Sequence, residues 1–214
     1  MNYFTYMIDV FLHLDKYLGV VINNYGFETY LILFIIIFLE TGLVVTPFLP
    51  GDSLIFAAAT FAALGMLNIF ILISVLIAAA VLGDTLNYEI GRHLGQKLIQ
   101  HEKLIKKEHI EKTNSFYEKY GGKTIVFARF VPIVRTLAPF VAGIGKMNYR
   151  KFISFNAVGG ISWVLVVTIM GYFFGNIEVV KENFSIVVIA IIAISVLPMI
   201  IAALKNKRNQ CKEA

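Results

Sequence analysis

The stretch FLETGLVVTPFLPGDSLIFAAATFAALG, Phe38 to Gly65, decides how this chain is read. It is almost wholly apolar, yet it holds Glu40, Asp52, Pro47, Pro50 and Gly51. A helix crossing a bilayer disfavours all of these at its centre: a charge there costs about 2.5–3.5 kcal/mol on insertion scales, and proline removes a backbone donor. Residues before proline also avoid the α region, so TPFLPGD breaks the helix that starts near Glu28. A second apolar helix then runs from Ser53 to about Gly65. At 1.5 Å per residue its ~13 residues reach roughly 20 Å, too short to span. The expectation is a re-entrant hairpin over about 38–65. Irregular backbone at that depth survives only when buried in protein or lining a wet cavity.

Working outward, the rest of the chain has the same character. Of 214 residues, 58% are hydrophobic and 15% charged, where a soluble domain carries about 25% charged. Tyr30–Leu39, Ile69–Leu82, Ile161–Tyr172 and Phe184–Leu204 are apolar runs near spanning length, and they lack the alternation of barrel strands. The segment GGKTIVFARFVPIVRTLAPFVAGIG, 121–145, repeats the first stretch: two short apolar limbs with Pro132 and Pro139 near the break. Matches at a spacing of 80 support an internal repeat: Gly65 with Gly145, Asn68 with Asn148, Gly91 with Gly171, Gly95 with Gly175. A hairpin returns to its own side and the following span crosses, so the second hairpin must enter from the opposite face. The expected fold is an all-α polytopic membrane protein: an inverted repeat of two opposed re-entrant hairpins, each followed by a transmembrane helix, plus a C-terminal span. Residues 1–25 read as an amphipathic or membrane helix, 26–175 as the transport domain, and 176–214 as a C-terminal span with a basic tail.

Charge sets the topology. Lysines crowd the segment 96–123, Lys146, Arg150 and Lys151 follow, and Lys205, Lys207, Arg208 and Lys212 mark the tail. The positive-inside rule places all three groups, and the C-terminus, in the cytoplasm. The same rule accounts for the net charge of +5 without nucleic acid, and lipid headgroups are the expected contacts. The N-terminus lacks a basic n-region and a cleavage site. The lone Cys211 excludes an intramolecular disulfide, and no metal spacing, nucleotide fingerprint or catalytic motif appears. No cofactor or metal is expected.

Five ionisable residues lie in apolar segments: Glu40, Asp52, Asp84, Arg129 and Arg135. Asp52 reads as an N-cap, as a proton carrier at the hairpin tip, or as both. Glu40 reads as a protonatable carboxylate or as an arginine's partner. Arginine keeps its proton, and its planar fork suits phosphate, so Arg129 and Arg135 beside a helix start form a phosphate cradle. The structural alternative is that both pair with Glu40 and Asp52, two acids balancing two bases. Asp84 is second-tier, facing Arg92 or a hairpin arginine, as are Asn87, Ser53, Thr136 and Asn156. GRHLG and GYFFG read as close helix packing, and Trp163 as packing or an interfacial anchor.

FLETG…PFLPGDSLIFAAA, GDTLNYEIGRHLG and FARFVPIVRTLAPFVAGIGKMNYRKFISFNAVGGISW together resemble the DedA family of membrane proteins with a VTT (SNARE-associated) domain, over roughly Tyr25 to Gly175. The resemblance implies opposed re-entrant hairpins in a bacterial cytoplasmic membrane. It implies lipid transport across the bilayer: undecaprenyl phosphate recycling or phospholipid flipping, dependent on the proton-motive force. The family's acidic pair falls on Glu40 and Asp52, its arginines on Arg129 and Arg135. The expected partners are a lipid substrate, the membrane and protons, with homo-oligomer formation left open. An exporter of small cations, in which the acids bind cargo, is the alternative from another class. A membrane enzyme acting on lipid phosphates lacks a visible nucleophile with an adjacent base.

Overall fold

The computed structural model describes residues 14–43, 51–100, 121–175 and 177–178. Pro47, Pro50, most of the basic segment 96–123, the Phe184–Leu204 span and the tail with Cys211 lie outside the described residues. Those described form seven helices: α1 Leu14–Tyr25, α2 Glu28–Gly42, α3 Gly51–Ala63, α4 Ile69–Gln100, α5 Lys123–Ala128, α6 Pro132–Ile144 and α7 Tyr149–Phe174. There is no strand among them.

Among the described residues, helices α4 and α7 contain the two segments long and apolar enough to cross a membrane, Ile69–His93 and Tyr149–Phe174. The shorter α3 and α6 each precede one of them. Large apolar side chains point outward, Phe70 78% exposed and Phe27 75%. That exterior would be a liability in water and is what lipid contact requires.

The turns at the positions matched by the spacing of 80 are alike. Gly65 leaves α3 with φ +79° while the Met66 N–H bonds back to the Phe61 carbonyl at 3.1 Å. Lys146 leaves α6 with φ +51° while the Met147 N–H bonds to the Ala142 carbonyl at 3.0 Å. Both follow the Schellman pattern, which satisfies carbonyls at a helix end. The second turn uses Lys146 where the spacing of 80 points to Gly145, a slip of one residue. Next, Asn68 caps α4 by accepting from the Phe70 and Ile71 N–H groups at 3.0 and 3.2 Å. Asn148 caps α7 by accepting from Arg150 and Lys151 at 3.0 and 3.4 Å. Truncating a cap of this kind costs about 0.5–2 kcal/mol. Asn148→Ala is expected to lower the melting temperature in detergent by a few degrees, and Asn148→Asp to restore it.

The glycines pack across the repeat. A Cβ on Gly91 of α4 would strike the Phe140 main chain of α6, and one on Gly171 of α7 would strike the Phe56 main chain of α3. Each long helix thus lies against the short helix of the other repeat unit. Small residues at such crossings let backbones approach closely. The main core, with Leu33, Ile37, Ile55, Leu72, Leu76 and Val164 fully buried, fills the space among α2, α3, α4 and α7.

Two expectations need correction. Helix α3 already includes Gly51, so Asp52 lies in the first turn and not at a cap ahead of Ser53. Pro139 does not mark a break. It lies inside α6, which is continuous through it. The interruption is at residues 129–131, where Val131 is extended and Pro132 takes the first turn, the position at which its missing N–H costs nothing.

Candidate functional site

Four of the five charged residues in apolar segments are buried: Glu40, Asp84, Arg129 and Arg135 are each under 5% exposed. They form two clusters, and the division differs from the expected one.

In the first cluster, the α6 residue Arg135 grips two acids. Its Nη2 donates to Glu40 Oε1 at 2.5 Å and its Nη1 to Asp52 Oδ1 at 3.1 Å. Glu40 comes from the last turn of α2 and Asp52 from the first turn of α3. The guanidinium therefore ties together both limbs of the first interrupted segment. Gly51 makes this approach feasible, because a Cβ there would fall on the Glu40 carboxylate. The Asp52 side chain is 22% exposed, the least buried group of the cluster. Trp163 of α7 donates its indole N–H to Asp52 Oδ1 at 2.8 Å.

In the second cluster, Arg129 caps the C-terminus of α5 and donates to Asp84 and to Asn156 Oδ1, the latter at 2.7 Å. It also donates to the Ala80 carbonyl at 3.2 Å. Asn156 turns its amide to the Val81 carbonyl at 3.1 Å, so α4, α5 and α7 meet at this guanidinium. Gly159 leaves the needed room: its Cβ would stand 3.3 Å from Arg129 Cδ.

Asp84 is thus the partner of Arg129, while Arg92 pairs with Glu89 at 3.8 Å in a half-exposed position. Two acids do not balance two bases here. Three carboxylates face two guanidiniums, which leaves one formal negative charge in the interior unless a carboxyl holds a proton. Among the described residues, Glu40 Oε2, Asp84 Oδ1, Arg135 Nε, and Arg129 Nε and Nη1 have no hydrogen-bond partner although buried.

Asn87 pins the first cluster from α4. Its amide donates to the Thr136 carbonyl at 2.8 Å and the Thr41 carbonyl at 3.3 Å. Those residues directly follow Arg135 and Glu40 in sequence. Ser53 is buried beside Asp52 in α3 with no partner for its hydroxyl among the described residues. The role of Trp163 escaped the sequence reading. The available signal was its place: it sits mid-way along α7, whereas interfacial tryptophans sit at helix ends.

A model of the VTT domain matches residues 49–173, the segment that carries Asp52, Asp84, Arg129, Arg135 and Trp163. The chain belongs to the DedA family. It is 47% identical over 218 residues to Protein DedA of Escherichia coli K12, covering all of both chains. It is 40% identical over 182 residues to an uncharacterized membrane protein of Mycobacterium leprae, covering 84% of this chain and 82% of that one. Identity to the inner membrane protein YqjA of Escherichia coli K12 is 36% over 155 residues, 70% and 69% of the two chains. No solved structure matches. This DedA-family chain is accordingly a membrane protein, as its named relatives are.

Proposed function

We propose that this protein carries a lipid phosphate across the cytoplasmic membrane, undecaprenyl phosphate above all, with proton coupling. The observation that carries the reading is Arg135, a buried arginine held by two carboxylates of which one is partly open. A phosphate headgroup offers the same planar fork the same acceptors. Protons on Glu40 and Asp52 would release Arg135 to that headgroup, and loss of the protons would take it back. The carboxylates and the phosphate then compete for one guanidinium, so protons on the carboxylates favour the cargo, which is coupling in its simplest form. Arg129, held more deeply by Asp84 and Asn156, adds positive potential behind the site. In this reading the segments 38–65 and 121–145 are re-entrant hairpins opposed in the membrane, and the chain is multi-pass with its C-terminus in the cytoplasm.

The acid excess favours one other reading, in which the carboxylates bind a small cation and the arginines are structural. The two separate in proteoliposomes under an imposed pH gradient. The expected result is gradient-dependent flipping of a short-chain labelled polyprenyl phosphate. Arg135→Lys should lower it by about tenfold or more although the charge is kept, because the fork is lost. Full flipping in that variant would count against two-point phosphate binding. Flipping of phosphatidylethanolamine in place of the polyprenyl phosphate would redirect the assignment to phospholipids. Absence of both, with cation-driven dissipation of the gradient, would favour the exporter.

A further inference from the structure

The indole of Trp163 touches both clusters. Its ring centroid lies 4.8 Å from Arg135 Cζ and 5.8 Å from Arg129 Cζ, and its N–H is on Asp52. Both distances fall within the roughly 6 Å over which an aromatic face attracts a cation, and tryptophan is the strongest such face. The residue is 2% exposed, on the second long helix, while the groups it touches come from α3, α5 and α6. Packing alone does not account for that position. A buried indole N–H needs an acceptor, and here the acceptor is a carboxylate that also binds the arginine lying on the ring.

We propose that Trp163 is the positioning residue of this site: its ring face holds the Arg135 guanidinium while the guanidinium edge exchanges carboxylates for an anionic lipid headgroup. The face and edge of a guanidinium serve separate purposes. The edge carries all five donors, so exchange of acceptors happens there. The face carries none, and the ring covers it through the exchange. Without the ring, Arg135 would be free to turn or to take up water each time the carboxylates let go. The N–H on Asp52 keeps that carboxylate beside the edge it has left, ready to take it back. This inference rests on the transport reading above and specifies how the site would recover between cycles.

The test uses the fact that the chain has a single tryptophan, so biosynthetic replacement by fluorinated tryptophans alters Trp163 alone. Tryptophans with one, two and three ring fluorines keep the shape and the N–H and progressively weaken the negative ring face. In proteoliposomes, the KM for a short-chain polyprenyl phosphate is expected to rise step by step, by about two- to thirtyfold across the series, while the melting temperature stays with the parent. A structural role would not produce a graded KM at constant stability. Trp163→Phe, which keeps a ring and loses the N–H, is expected to slow the maximal rate more than Trp163→Tyr. A KM that ignores fluorination, in a parent that flips the lipid, would overturn the inference and leave the transport reading standing. A KM that moves only together with the melting temperature would also overturn it. A parent that flips no lipid phosphate would overturn the transport reading and this role of Trp163 with it.

Discussion

Replacing Asp84 by alanine is expected to cost about 3–5 kcal/mol, a large share of total stabilities of about 5–15 kcal/mol. The carboxylate is 1% exposed and its partner Arg129 is 2% exposed, so the guanidinium cannot turn to water when the acid is lost. Asn156 and the Ala80 carbonyl remain as acceptors, but neither carries charge. The cost is that of stranding a cation, and the converse follows. Removing both charges, as Asp84→Leu with Arg129→Leu, should recover most of the stability, because well-packed apolar replacements of buried ion pairs are often neutral. Yield of monodisperse protein and melting temperature in detergent would measure both. An Asp84→Ala variant as stable as the parent would mean that Arg129 does not depend on this pair. The rescued double variant then allows transport to be assayed without Arg129 and without misfolding.

The sequence announced where this fold breaks and where its charges sit, because both signals are local. Proline and glycine act on their own backbone, and an ionisable residue in an apolar run is conspicuous wherever it occurs. Pairing is not local. Arg129 and Asp84 are 45 residues apart, and Arg135 and Glu40 are 95 apart. Burial tells that each charge needs a partner but not which, and the structural alternative that charge counting offers, both arginines with Glu40 and Asp52, holds for Arg135 and not for Arg129. For Asp84 the sequence offers Arg92, two turns along the same helix, or an arginine of 121–145, and spacing does not choose between them; the structure selects Arg129. The repeat was legible through Asn68 and Asn148, whose caps demand a particular side chain. Pro139 misled because proline breaks a helix only when the freed carbonyl and the ring cannot be accommodated, and α6 accommodates them.

Gly51→Ala, the smallest change available in the site, is expected to have an effect near that of deleting Glu40. The added Cβ would fall on the carboxylate, and that carboxylate has nowhere to go. It is fully buried, fixed by Arg135 on one side and carried by the last turn of α2 on the other. Overpacking ordinarily costs about 1–3 kcal/mol because neighbours yield. Here the neighbour that yields must break an ion pair, and Arg135 keeps only Asp52. Gradient-dependent flipping should fall at least tenfold. A double-mutant cycle separates the collision from any effect of alanine on the helix start. If the clash is with Glu40, Gly51→Ala should be almost harmless to stability in a Glu40→Ala background, where the space is empty, so the two changes would couple by more than about 1 kcal/mol. Additive losses would instead locate the requirement in the backbone at the start of α3. That would make Gly51 a residue of the chain break alone and remove it from the geometry that brings Glu40 to Arg135.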